Sequence, residues 1–107
     1  FLYMPLALEK QDILDELSNQ RHQLANFGVE QIGLFGSFVR DEANQESDID
    51  LLVDMSKNRK TFRNFMALNY YLEEIFGRKV DLVTKQSLSP YIGPHILRTV
   101  EYASLAG

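Results

Sequence analysis

From about Leu6 to Asn26 the apolar positions recur with a helical period. Ile13, Leu14, Leu17, Leu24 and Phe27 trace one stripe, and Gly28 is placed to end the helix. Val29 to Phe35 reads as a strand that Gly36-Ser37 breaks. Ser37 can cap a short helix through about Ala43, with Asp41 and Glu42 near its positive end. Asn44 to Ser47 is a polar loop, and Asp48 to Asp54 is a second strand. Thr61 is the expected N-cap of a helix that runs to Phe76 and stops at Gly77. Phe62, Phe65, Met66, Leu72 and Phe76 are expected to supply much of its buried surface. Lys79 to Thr84 is a third strand, Ser87 to Gly93 a turn region, and Pro94 suits the start of a last helix through about Leu105. Ile96, Leu97, Val100 and Ala103 are expected on its core face. The order αβαβαβα predicts an α/β (α+β) fold, a small mixed sheet flanked by helices. Strand order and direction do not follow from the pattern.

The length of 107 residues suits a single domain spanning 1–107. Apolar residues make up 45% and charged residues 24%, ordinary values for a soluble globular protein. Without cysteine the chain can form neither a disulfide nor a thiolate metal site, which fits a reducing, cytoplasmic setting. The formal charge of −4 weighs against nonspecific nucleic-acid binding. Phe1 to Leu8 is short, with no preceding basic residue and Glu9 directly after, so it makes a poor signal peptide. No stretch reaches the roughly 20 apolar residues of a membrane span. Phe1 to Tyr3 are expected to be an expression remnant ahead of a natural start at Met4.

The chemistry is concentrated in the segment Gly36-Ser37-Phe38-Val39-Arg40, which leads after a loop to Asp48-Ile49-Asp50. Carboxylates two positions apart on a strand share a face, because side chains alternate. Like charges held that close are unfavourable unless a cation lies between them. A Gly-Ser turn that opens a helix presents backbone N–H groups to a phosphate. Asp81 is a third acid inside an apolar run, where burial of an unpaired carboxylate costs free energy. If its strand lies beside that of Asp50, the three acids converge. They could then hold magnesium, which completes its shell with water and phosphate oxygens, and align an α-phosphate for in-line attack. Asp81 could also accept a proton from the incoming hydroxyl.

The run GSFVRDEANQESDIDLLV resembles the signature of the DNA polymerase β-like nucleotidyltransferases, a Gly-Ser pair with ten residues before Asp-x-Asp. Val80-Asp81-Leu82-Val83 looks like the third-carboxylate strand of the same fold, and the short length is most similar to the minimal nucleotidyltransferases. Stand-alone members are commonly antitoxins that transfer AMP from ATP to a tyrosine of a HEPN-domain ribonuclease toxin. The resemblance implies that Gly36 and Ser37 bind the triphosphate. It further implies that Asp48 and Asp50 hold magnesium, and that Asp81 completes the metal site or acts as base. With all predicted elements used by one domain, much of the acceptor site is expected from a protein partner. Two other readings are a non-catalytic antitoxin that works by occlusion, and a transferase for a small-molecule or RNA-end acceptor.

Arg40 could reach the nucleotide or pair with an acid across the turn, and the second is the better expectation. Lys57, Arg59, Lys60 and Arg63 hint at a triphosphate or partner contact, although a solvated loop is favoured. His22 and His95 lack metal-ligand spacing and read as surface or packing residues. Tyr70, Tyr71 and Tyr91 are expected to pack, with self-modification as the alternative for one of them.

Overall fold

A computed structural model describes residues 7–106. The expectations about Phe1 to Tyr3 and Met4 lie outside those residues, as does most of the segment Phe1 to Leu8. The chain forms helices α1 (Lys10–Asn19) and α2 (Arg21–Asn26), strand β1 (Val29–Phe35) and strand β2 (Ile49–Met55). Helix α3 (Phe62–Phe76), strand β3 (Val80–Thr84), helix α4 (Gly93–Thr99) and strand β4 (Glu101–Tyr102) follow. The sheet order is β3-β2-β1-β4. β1 runs antiparallel to both its neighbours, and β2 and β3 are parallel. This is the mixed sheet flanked by helices that the pattern predicts.

Alternation sets the two faces of the sheet. Ile49, Leu51, Val53 and Met55 of β2, with Ile32 and Leu34 of β1, join the core formed with Ile13, Leu17 and Leu24 of the first two helices. Leu68, Leu72 and Phe76 add the buried stripe of α3. Asp50 has the opposite parity in β2 and so lies on the other face of the sheet.

The first helix is broken where one continuous helix is expected. Gln20 leaves helical geometry with φ −94° and ψ 15°, separating α1 from α2. Its side chain donates to Glu16 at 2.8 Å and accepts from the Tyr71 hydroxyl, a tie to α3 that local periodicity does not encode. Burial, with Glu16 and Glu74 nearby, pushes the Tyr71 phenol up. Helix α3 follows expectation. Thr61 accepts from the Asn64 N–H at 3.2 Å, and Gly77 ends the helix in a left-handed conformation. Its first residue departs, for Phe62 is 80% exposed.

The C-terminal region departs most. The helix expected to reach Leu105 stops at Thr99, and β4 pairs Tyr102 with Gly33 and Glu101 with Leu34. Gly33 makes this possible. A Cβ there would lie 2.6 Å from Val100 Cγ2 and 2.9 Å from Tyr102 Cδ1. Ile96 is buried as expected, whereas Leu97 is exposed. Tyr71 packs on Phe27 with ring centroids 5.3 Å apart, but Tyr70 and Tyr91 are exposed rather than packed. Among the described residues, no helix is long and apolar enough to cross a membrane.

Candidate active site

The register between β2 and β3 brings the acids together. Asp50 pairs directly with Asp81 across the parallel ladder, as Ile49 does with Val80 and Leu51 with Leu82. Registered partners point to one face, so Asp50 and Asp81 stand side by side opposite the core. Asp48 just precedes β2, two positions from Asp50, and shares that side. Asp50 is half-buried and Asp81 exposed.

Burial raises the Asp50 carboxyl from its ordinary 3.8 to about 6, and the charges of Asp81 and then Asp48 push the same way. The Arg40 charge and a hydrogen bond from the Ser37 backbone N–H pull it down, but less. Lys79 Nζ is a weak cationic neighbour of Asp48 at 3.9 Å. The group as a whole is under-neutralised. Among the described residues, no three His, Cys, Asp or Glu side chains close into a ready-made metal cage. An open acid set suits magnesium, which binds through one or two carboxylates and keeps water and phosphate oxygens in its shell.

The Gly36-Ser37 segment folds differently from the expected helix. Gly36–Phe38 form one tight turn, with the Val39 and Arg40 N–H groups both bonded to the Gly36 carbonyl at 3.1 Å. Asp41 then adopts φ 62°, and the Glu42 N–H closes on the Ser37 carbonyl at 2.9 Å. The positive φ ends helical propagation well before Ala43. Gly36 itself sits at φ 76°, and a Cβ there would collide with the Asp50 carboxylate. The turn and the acid are therefore in direct contact.

Arg40 pairs with an acid across the turn, the better of the two expectations. Its Nε bonds Glu42 at 2.9 Å across an exposed turn, and its charge reaches Asp50. Lys57, Arg59, Lys60 and Arg63 are all exposed, in keeping with the solvated-loop expectation. His22 is exposed on α2.

Sequence reasoning missed Arg78, which lies near this site. Arg78, directly after the Gly77 stop, donates from Nη1 to the carbonyls of Asn44 at 3.2 Å and Ser47 at 3.1 Å. Its guanidinium also lies 5.4 Å from the Phe38 ring centroid. It thus pins the loop that leads into Asp48 against the Gly-Ser turn. A basic residue following a helix-ending glycine was the visible signal, but its targets lie more than thirty residues away. His95 is exposed, in keeping with its reading as a surface or packing residue. It lines a cavity of about 480 Å³ together with Gly36, Arg40 and Asp50.

A family model described as a nucleotidyltransferase domain matches residues 14–104. The chain therefore belongs to the nucleotidyltransferase domain family. The protein adenylyltransferase MntA of Thermococcus cleftensis is 47% identical over 76 residues, covering 71% of this chain and 76% of that protein. A solved structure described as a minimal nucleotidyltransferase superposes with a TM-score of 0.69 at 33% identity, covering 82% of this chain and 93% of that one. A toxin–antitoxin crystal structure with AMP-PNP shares the fold at a TM-score of 0.61 and 22% identity, over 81% of this chain and 73% of that one. The resemblance drawn from the Gly-Ser and Asp-x-Asp spacing is borne out in family and fold.

Proposed function

We propose that this chain is an antitoxin that transfers AMP from ATP to a tyrosine of a HEPN-domain ribonuclease toxin. The observation that carries the reading is the pairing of Asp50 with Asp81, with Asp48 on the same side and the Gly36 turn against Asp50. Its likeness to a protein adenylyltransferase and to a member of a toxin–antitoxin pair supports a protein acceptor.

Asp48 and Asp50 would hold magnesium, which when bound neutralises triphosphate charge and polarises the α-phosphate. Gly36 and Ser37 form the turn that seats the phosphates, and the absence of a side chain at Gly36 lets them approach Asp50. Asp81, exposed beside Asp50, takes the proton of the incoming hydroxyl or, with that proton passing to water, would help hold the magnesium. The tyrosine oxygen attacks the α-phosphorus and forms the new P–O bond. The bond to the bridging oxygen of the β-phosphate breaks, and pyrophosphate leaves with that electron pair.

The test uses ATP labelled at the α-phosphate, with purified protein, magnesium and lysate of the source organism, beside an Asp50→Asn sample. A labelled protein band that requires Asp50 supports the proposal and supplies the acceptor for identification. No band, with Mg·ATP binding established separately, counts against a protein acceptor and favours inhibition by occlusion or a non-protein acceptor.

A further inference from the structure

The basic residues of the chain are unevenly placed. Between Asp54 and Glu73 there is no acid, yet Lys57, Arg59, Lys60 and Arg63 all fall there, in a chain whose formal charge is −4. All four are exposed, and among the described residues none of them forms an ion pair. The first turn of α3 carries Arg63 and no acid, an arrangement that opposes the helix dipole. This local excess of positive charge weakens the element that carries it.

An apolar groove of about 390 Å³ opens beside these cations. Met55 from the end of β2, Leu82 and Val83 from β3, and Phe62 and Phe65 from α3 line it, together with Lys60. Lys57, Arg59 and Arg63 lie within three residues of Lys60 along the chain. Phe62 keeps 80% of its surface exposed, a large apolar side chain whose burial a partner would complete. Strand β3 is an edge of the sheet and pairs with β2 alone, so its outer side is open to another chain.

We infer that this groove docks an acidic segment of a partner protein, seating an apolar side chain on Phe62 and setting carboxylates against Lys57, Lys60 and Arg63. Charge complementarity selects that occupant. Two copies of this chain meeting here about a two-fold axis would set like charges against each other. A nucleic acid would meet the same cations, but Met55, Leu82 and Val83 offer its bases no polar group, and the overall charge repels its backbone. The groove lies toward the far end of the strands from the acid site. Asp50 and Asp81 are second in β2 and β3, whereas Met55 and Thr84 end them, about 10–16 Å further along. The inference goes beyond the transfer reading and does not rest on it, because no group of the acid site takes part.

The test is a fluorescence-anisotropy titration with a short labelled peptide in which glutamates flank a leucine–phenylalanine pair. Three control probes are the peptide with lysines for its glutamates, the peptide with serines for its apolar pair, and an oligouridine of equal length. Each is titrated with the unmodified chain, Phe62→Ser and Arg63→Glu. Both positions are exposed, and circular dichroism melts check that each variant folds. The acidic apolar peptide is expected to bind the unmodified chain about tenfold more tightly than any control, and less tightly as salt rises. Each substitution is expected to weaken it about fivefold or more, with Mg·ATP affinity held within about twofold. No binding of that peptide, equal binding of the serine control, or unchanged affinity in both folded variants overturns the inference. Tighter binding of oligouridine, lost in the variants, overturns it in favour of a nucleic-acid surface. A matching fall in Mg·ATP affinity overturns it by placing these residues in the nucleotide site.

Discussion

Gly36 and Asp50 occupy each other's space so closely that no side chain fits at Gly36 without displacing the acid. The glycine comes from the turn after β1 and the aspartate from the first part of β2, and Phe35 pairs with Asp50 across the ladder. The antiparallel register thus delivers the turn to the carboxylate. The Ser37 backbone N–H, in the same turn, favours the charged form of Asp50.

Gly36→Ala is therefore expected to do two kinds of damage. The left-handed conformation, φ 76°, strains any side chain. That strain costs about 1–2 kcal/mol of stability. The new methyl also forces Asp50 away from the turn, so Mg·ATP binding should fall more than the stability loss explains. Urea denaturation and ligand titration on one sample separate the two effects. Unchanged nucleotide affinity in a folded Gly36→Ala protein would remove this turn from the site.

Asp50 makes the ligand-free protein sensitive to pH in a defined direction. Its carboxyl sits at about 6 when folded against 3.8 ordinarily, so the folded state binds the extra proton. The Asp50 contribution is fully present below about pH 4 and is lost as pH rises through about 6. Asp50→Asn removes this titration. The variant should gain stability over the unmodified chain as pH rises through that window, by about 1 kcal/mol once the half-exposed position is discounted for screening. Magnesium and ATP should reverse the ranking, since only the aspartate can gain from the metal, and EDTA should restore it. Melting curves across pH, with and without Mg·ATP, check both signs. A difference between the two proteins that stays flat with pH would contradict the stated environment of Asp50.

Arg78 should matter more than its position outside any motif suggests. Its two carbonyl contacts and the Phe38 ring fix the loop that carries the chain from the Gly-Ser turn to Asp48. Arg78→Ala is expected to cost about 1–2 kcal/mol and to weaken Mg·ATP binding by loosening that loop. Arg78→Lys should recover only part of this, because an ammonium can reach the carbonyls but lacks the planar guanidinium face that stacks on Phe38. Chemical denaturation and calorimetry on both variants are the measurement. Full nucleotide affinity in Arg78→Ala would show that the pinned loop is dispensable to the site.

What could be read from the sequence was what short-range chemistry encodes. Thr61 and Gly77 mark the ends of α3 because capping acts within a few residues. The Gly-Ser and Asp-x-Asp spacing was legible for the same reason, since one turn and one strand hold it. Asp81 could be named but not placed, because its register with Asp50 is a pairing between strands. Three features were hidden by distance along the chain. The break at Gln20 involves Tyr71, the anchoring by Arg78 involves Asn44 and Ser47, and the His95 cavity combines α4 with the end of β1. Strand β4 has only two residues, too few to show alternation, and the apolar spacing around it mimics a continuing helix.

Gly33 provides the clearance that β4 needs, and it supplies the last prediction. A glycine inside a strand often marks close approach of another backbone, and here the approaching segment is Val100 to Tyr102. Gly33→Ala places a methyl 2.6 Å from Val100 Cγ2 and 3.1 Å from the Glu101 carbonyl, so β4 must shift. Overpacking of this kind costs about 1–3 kcal/mol. The Ala103 N–H, bonded to the Ile32 carbonyl at 3.0 Å, should then exchange faster with solvent than amides of β2 and β3. Because β4 follows α4 directly, its displacement should also move the helix face that lines the cavity beside Asp50. Mg·ATP affinity is then expected to fall. Hydrogen exchange read by mass spectrometry, paired with an Mg·ATP titration, tests the link between this edge of the sheet and the α4 residues that line the cavity. Faster exchange at Ala103 with unchanged ATP affinity would show that the strand and these α4 residues move independently.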